Sequence, residues 1–264
     1  HWCTFKEELP GAEISIETAM YEELRLIKSA EEISFIERAA GISDKAHEAL
    51  NNTIEPGKTT DNDLFNVLLT TVHSLGGRMP FGHVESAPMN EADMVYPNPY
   101  ALKRTVQRGD VVMTEVAGCY GGYGAKIWGT VFVGEPTEEY RRLFQAAAAS
   151  NRAMKEAIRP GLTPEGVKDA MMEPALREGL IPRSLIHGWS NYNQAPRAGV
   201  ERRDGEYFIA DGDYVFKEGN VFTIVGWATS PDGRRAAWCG DTGILTSEGI
   251  RCPHAYRCDE IKVI

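Results

Sequence analysis

The chain has 264 residues, 42% hydrophobic and 25% charged, with a formal net charge of −10. That length carries one large domain or two modest ones with a full core. The acidic balance argues against nucleic acid or an anionic membrane surface as partner, and no apolar run approaches the roughly 18 residues that span a bilayer.

The chain opens at His1 rather than Met, and no signal-peptide pattern follows. It therefore reads as part of a longer or processed protein. Cys3, Cys119, Cys239, Cys252 and Cys258 are an odd, sparse set. They read as reduced thiols of a cytoplasmic protein rather than a disulfide framework. "CPHAYRC", Cys252 to Cys258, lacks zinc-knuckle spacing and a second ligand pair, so it reads as a terminal loop.

The first strong helix signal is "SAEEISFIERAAGISDKAHEALNNTIEPG". Ser29 and Glu32 form a capping box, apolar residues follow at helical spacing, and Pro56-Gly57 stops the run. A second helix starts near Thr59 or Thr60 and ends at Gly76-Gly77. Strand-like segments then cover Phe81–Ala87, Val111–Tyr120 and Tyr123–Val133. The last two are joined by Gly121-Gly122, a hairpin signal.

The second half repeats the order of the first. The segment beginning at Ser150 matches that beginning at Ser43: Ser, polar, basic, Ala, then a helix. Pro56-Gly57-Lys58-Thr59 is echoed by Pro160-Gly161-Leu162-Thr163, where Pro-Gly ends one helix and Thr starts the next, with Pro164 placed for a first turn. Strands follow again at Val221–Ala228 and Ala236–Thr246. The expectation is an α+β domain of two duplicated helix-helix-strand halves, with a ligand cleft where they meet.

These segments resemble the pita-bread fold of the methionine aminopeptidase, aminopeptidase P, prolidase and creatinase family, the M24-type peptidases. "LRLIKSAEEISFIERAAGISDKA" is similar to the start of that catalytic domain, and "VQRGDVVMTEVAGCYGGYGAKIWGTVFVGEPT" to its central hairpin. "KEGNVFTIVGWATSPDG" and "GDTGILTSEG" are similar to its last strands. The resemblance implies a curved, mostly antiparallel sheet with pseudo-twofold symmetry and a homodimer. It assigns residues 24–264 to the pita-bread domain and residues 1–23 to the tail of a preceding domain or linker.

The family's peptidases hold two metal ions with two Asp, one His and two Glu. Carried over, those positions fall on Glu115, Lys126, Asn191, Val225 and Gly240, with Asp241 beside the last. One carboxylate, one carboxamide and one ammonium do not suit hard divalent cations, and the ammonium repels them. The expectation is therefore no metal and no cofactor. Creatinase works without metal through a His and a Glu; here those positions are Asn98 and Val225, so creatine is not the expected substrate.

Glu115, Lys126 and His187 are the expected catalytic residues. Glu115 and Lys126 are set to meet across the hairpin as a proton-transfer pair or a salt bridge. His187 has the pKa range for acid-base work. His83, Asn98, Asn191, Asp241 and Trp227 are the expected substrate-binding residues. Cys239 reads as an inert buried thiol, Trp128 as a core or cleft-wall residue, and Arg202, Arg203, Arg234 and Arg235 as loop charges. The reading is a metal-independent enzyme that cleaves or eliminates at a C–N bond of a small amino-acid-like or guanidino-like molecule. A catalytically silent binding module and a metallopeptidase with an altered site are the alternatives.

Overall fold

The computed structural model describes residues 2–13, 15, 17–100, 103–191 and 193–264. Two short helices, α1 (Trp2–Glu8) and α2 (Thr18–Leu26), precede the long α3 (Ala30–Thr53) and α4 (Asp61–Ser74). Three strands follow: β1 (Arg78–Pro88), β2 (Asp110–Tyr120) and β3 (Tyr123–Phe132). The second half gives α5 (Glu138–Ala157), a 3-10 turn, α6 (Lys168–Arg177), β4 (Ile181–Pro182) and β5 (Leu185–Trp189). It continues with β6 (Asn193–Arg203), β7 (Glu206–Ala210), β8 (Val221–Thr229) and β9 (Ala236–Thr246), then the short β10 (Gly249–Arg251) and β11 (Lys262–Val263).

The helix starts form as the side chains dictate. Ser29 Oγ accepts from Glu32 N at 3.2 Å while Glu32 Oε2 accepts from Ser29 N at 2.7 Å. This reciprocal cap satisfies two otherwise orphaned donors of α3. Thr60 and Asp63 repeat it at α4. Gly57 and Gly161 both sit at positive φ, +82° and +88°, so the two Pro-Gly stops share one left-handed geometry. The halves differ after that point. Thr163 caps only the 3-10 turn Glu165–Val167, and α6 begins beyond it at Lys168.

The main sheet runs β1-β2-β3-β9-β8-β5-β6-β7, antiparallel throughout, with β11 added parallel to β3. The two halves join at β3 and β9, where Ile127 pairs with Asp241 and Trp128 with Gly240. Helices α3 and α4 pack on the strands of the first half, and α5 and α6 on those of the second. All four helices cover one face, so residues alternate between a helix-covered face and an open one. Gly226 marks how closely the helix layer approaches: a Cβ there would run into the Ala147 carbonyl of α5. Among the described residues, no helix is long and apolar enough to cross a membrane.

Candidate active site

The open face of the sheet forms a cavity of about 910 Å3. Strands β1 to β3 contribute Phe81, Glu115, Lys126 and Trp128; β5 contributes Leu185, His187 and Trp189; β6 contributes Arg197, Gly199 and Glu201. Helix α2 closes one side with Tyr21, Glu22 and Arg25, although the sequence reading placed a boundary at residue 23.

Glu115 and Lys126 lie at the centre. They are not directly opposite in the ladder: Glu115 pairs with Trp128, and Lys126 with Ala117. Both belong to the open face, and the diagonal brings Lys126 Nζ to 3.0 Å from Glu115 Oε1. Glu115 is 2% exposed and Lys126 4%. Burial raises the carboxyl pKa against the pull of Lys126, and burial lowers the ammonium pKa against the pull of Glu115. Both groups are thus driven toward their neutral forms, which eases passage of the proton between them. The ammonium also faces the rings of Trp189 at 3.9 Å and Phe81 at 4.6 Å, which replace part of its lost hydration.

The other Glu115 oxygen accepts a hydrogen bond from the Tyr96 hydroxyl. That hydroxyl has a single proton, so His83 Nδ1, 3.0 Å from the Tyr96 oxygen, donates to it. Burial, with the Glu115 charge behind it, keeps Tyr96 protonated far above the ordinary phenol range. Tyr96 was not anticipated. It follows a polar loop with no strand or helix pattern, so only the fold reveals where its ring goes. His187 Nδ1 donates to the Gly188 carbonyl at 3.3 Å, leaving Nε2 as an acceptor. Burial and the Lys126 charge push its pKa down to about 3, so the ring is neutral at neutral pH.

The remaining expected residues divide. His83 supports Tyr96 but does not line the cavity. Asn98 is not brought to the cleft: its N–H donates to Glu85 Oε2 at 2.6 Å and its Oδ1 caps Tyr100 N at 2.9 Å, so it folds the loop. Asp241 is turned away by the pleat. Gly240 pairs with Trp128 on the open face, so Asp241 points to the helix face and binds Lys155 Nζ at 2.7 Å. It does not meet Lys126. Asn191 lies at the rear, its Oδ1 bonded by Arg25 and Gln194, beside a second cavity of about 380 Å3. Trp227 packs with Trp128, Trp238 and Tyr96 in an aromatic cluster beside the cavity, with ring centroids 5.3–6.1 Å away.

A profile for metallopeptidase family M24 matches residues 34–257, and the chain belongs to that family. The probable dipeptidase PepE of Mycobacterium tuberculosis is 29% identical over 245 residues, 90% of this chain and 62% of the relative. The Xaa-Pro dipeptidase of Pyrococcus furiosus is 26% identical over 220 residues, 83% of this chain and 61% of the relative. The chain thus spans less than two thirds of either. Among solved structures, the X-Pro aminopeptidase of Thermotoga maritima superimposes with TM-score 0.82 at 20% identity, covering 100% of this chain and 72% of its own. Dipeptidase PepE of Mycobacterium ulcerans gives 0.80 at 22%, covering 100% and 68%. The fold is the pita-bread fold of that family.

The family name implies metal, and the side chains in this cleft do not fit it. Lys126 places its ammonium 3.0 Å from Glu115, the sole carboxylate at the centre among the described residues. Val225 and Gly240, paired with each other on the open face, offer no donor atoms. Trp128, Trp227 and Trp238 pack beside them, with centroids 4.5–6.1 Å apart. Asn191 is engaged elsewhere. A divalent cation needs several oxygen or imidazole ligands at about 2.0–2.6 Å. Among the described residues, no group of three such side chains converges.

Proposed function

We propose that the chain is a metal-independent hydrolase acting on a C–N bond of a small amino-acid-like molecule, with Glu115 and Lys126 as its proton-handling pair. The observation that carries this reading is the opening of a buried, desolvated Glu–Lys–Tyr network onto a substrate-sized cavity. The dipeptidase names of the relatives support an amide bond as the one cleaved.

The chemistry follows from the groups. Glu115, with a raised pKa, takes a proton from an attacking water. The water oxygen bonds to the substrate carbonyl carbon, and Lys126, using a second N–H, stabilises the oxygen that gains charge. The proton held by Glu115 then passes to the leaving nitrogen as the C–N bond breaks. Tyr96 and His83 keep the carboxylate oriented throughout. Neutral His187 accepts a hydrogen bond from water or substrate without adding positive charge.

A second reading, a binding module without turnover, is favoured by Val225 and Gly240, which remove polar groups and put none in their place. A panel of dipeptides and N-acyl amino acids, assayed with chelator present, separates the two. Turnover that disappears in Glu115→Gln and Lys126→Met supports the hydrolase. Binding without turnover in the wild type supports the module.

A further inference from the structure

The Tyr96 hydroxyl that meets Glu115 stands on a loop with few ties of its own. The stretch reads Tyr96-Pro97-Asn98-Pro99-Tyr100. Proline has no N–H, so Asn98 carries the only main-chain donor between the two tyrosines. That donor goes to the Glu85 carboxylate, at 2.6 Å from Oε2. Tyr100 N stays within the loop, bonded to Asn98 Oδ1. Among the described residues, no other main-chain group from Tyr96 to Tyr100 is hydrogen-bonded to the sheet. We propose that Glu85 is a positioning residue for the Glu115–Lys126 pair: it pins the loop at Asn98 and thereby keeps the Tyr96 hydroxyl on the Glu115 carboxylate. The catalytic consequence rests on the hydrolase reading above.

Strand β1 supplies two holds on this loop. His83 pairs with Glu115 in the ladder, and Glu85, two residues on and on the same face, pairs with Met113. His83 Nδ1 meets the Tyr96 oxygen at 3.0 Å, and Glu85 takes the Asn98 N–H. Between them the chain is stiff. The ring of Pro97 fixes its own φ, and Tyr96 and Asn98, each followed by a proline, are kept extended. A hold at Asn98 therefore sets where Tyr96 sits, two residues away.

Packing does not enclose the ring. Trp128, Trp227 and Trp238 lie against it with centroids 5.3–6.1 Å away, yet Tyr96 is 39% exposed and lines the cavity. Its hydroxyl matters to the acid because it opposes burial. Burial raises the Glu115 pKa, and Lys126 and the Tyr96 hydroxyl pull it back. With the hydroxyl gone from the carboxylate, Lys126 alone opposes burial, and the Glu115 pKa rises further.

The test compares wild type with five variants. Glu85→Ala and Glu85→Met remove the acceptor, without and with the side-chain stem. Glu85→Gln keeps an acceptor oxygen and loses the charge. Tyr96→Phe removes the hydroxyl, and the fifth variant combines Glu85→Met with Tyr96→Phe. The Glu115 carboxyl is titrated by carbon NMR on carboxyl-labelled glutamate, assigned through Glu115→Gln, and turnover of the dipeptide panel is followed against pH with chelator present. Glu85→Ala, Glu85→Met and Tyr96→Phe should each raise the Glu115 titration and move the acid limb of kcat/KM to higher pH. Each should lower kcat/KM at neutral pH about 10-fold, as expected for loss of a hydrogen bond to a charged group. The combined variant should go no further than Tyr96→Phe alone, because both changes remove one contact. Glu85→Gln should stay near wild type or titrate slightly lower, since loss of a nearby negative charge favours the carboxylate. An unmoved titration in Glu85→Met or Tyr96→Phe, or shifts that add in the combined variant, overturn the role. The expected shifts in a wild type without turnover keep the role of Glu85 and remove the hydrolase. Turnover whose pH profile is indifferent to Glu85 keeps the hydrolase and removes the role.

Discussion

Lys126 reaches Glu115 along a diagonal of the β2–β3 ladder, 3.0 Å from Nζ to Oε1, while Trp128 is the residue directly opposite the acid. Both side chains are nearly inaccessible, so each is the other's main compensation for lost water.

Lys126→Met should therefore leave a buried carboxylate unpaired and destabilise the fold by about 3–5 kcal/mol. Replacing both charges, Lys126→Met with Glu115→Gln, should return most of that loss, because the uncompensated charge is gone. Urea unfolding of the two variants beside wild type measures it. A double variant no more stable than Lys126→Met would show that the pair's packing matters and its charge does not.

The framework was legible in sequence because its signals are local. Ser29 with Glu32 marked a helix start, and Gly121-Gly122 marked the hairpin through a turn that needs positive φ at both residues, 58° and 92°. The site was legible only in part. Glu115 and Lys126 were visible as charges inside apolar strands. Asp241 was misplaced because one residue of register decides which face a side chain takes. Tyr96, Arg25 and Arg197 come from a loop, a short helix and a strand whose sequence has no alternating pattern, and only tertiary packing brings them to the cleft.

Gly226→Ala should prevent stable folding or cost at least about 3 kcal/mol. Its Cβ would collide with the Ala147 carbonyl and lie 2.7 Å from Asn151 N, both backbone atoms of α5 that cannot rotate away. Gly166→Ala is the control: its nearest neighbour, Thr163 Oγ1, is 3.5 Å away. Soluble yield and thermal unfolding of the pair decide the matter. Equal behaviour would mean that α5 can slide off β8 without loss.

Acid should weaken the fold through two histidines. Burial lowers His47 to about 4 and His187 to about 3, against an ordinary 6.5. The unfolded chain then binds protons that the folded one excludes, so stability is intact above pH 6.5 and falls as pH drops toward those values. Each group contributes a slope of up to about 1.4 kcal/mol per pH unit. Urea midpoints between pH 7 and pH 5 should fall less steeply in His47→Gln than in wild type. An unchanged slope in that variant would mean that His47 protonates in the folded state.

Divalent metals should not stabilise the wild type. A ligand that binds only the folded chain raises the melting temperature in proportion to its excess over Kd. Mn2+, Co2+ or Zn2+ must contend with the Lys126 ammonium and with Val225 and Gly240, which supply no donor. Thermal unfolding with and without these ions, and after chelator treatment, should give one melting temperature. Lys126→Asp restores a carboxylate at one position only, so it too should show no metal-dependent shift. A rise of several degrees in the wild type, with metal retained through dialysis, would return the cleft to the metallopeptidases and remove the Glu115–Lys126 mechanism.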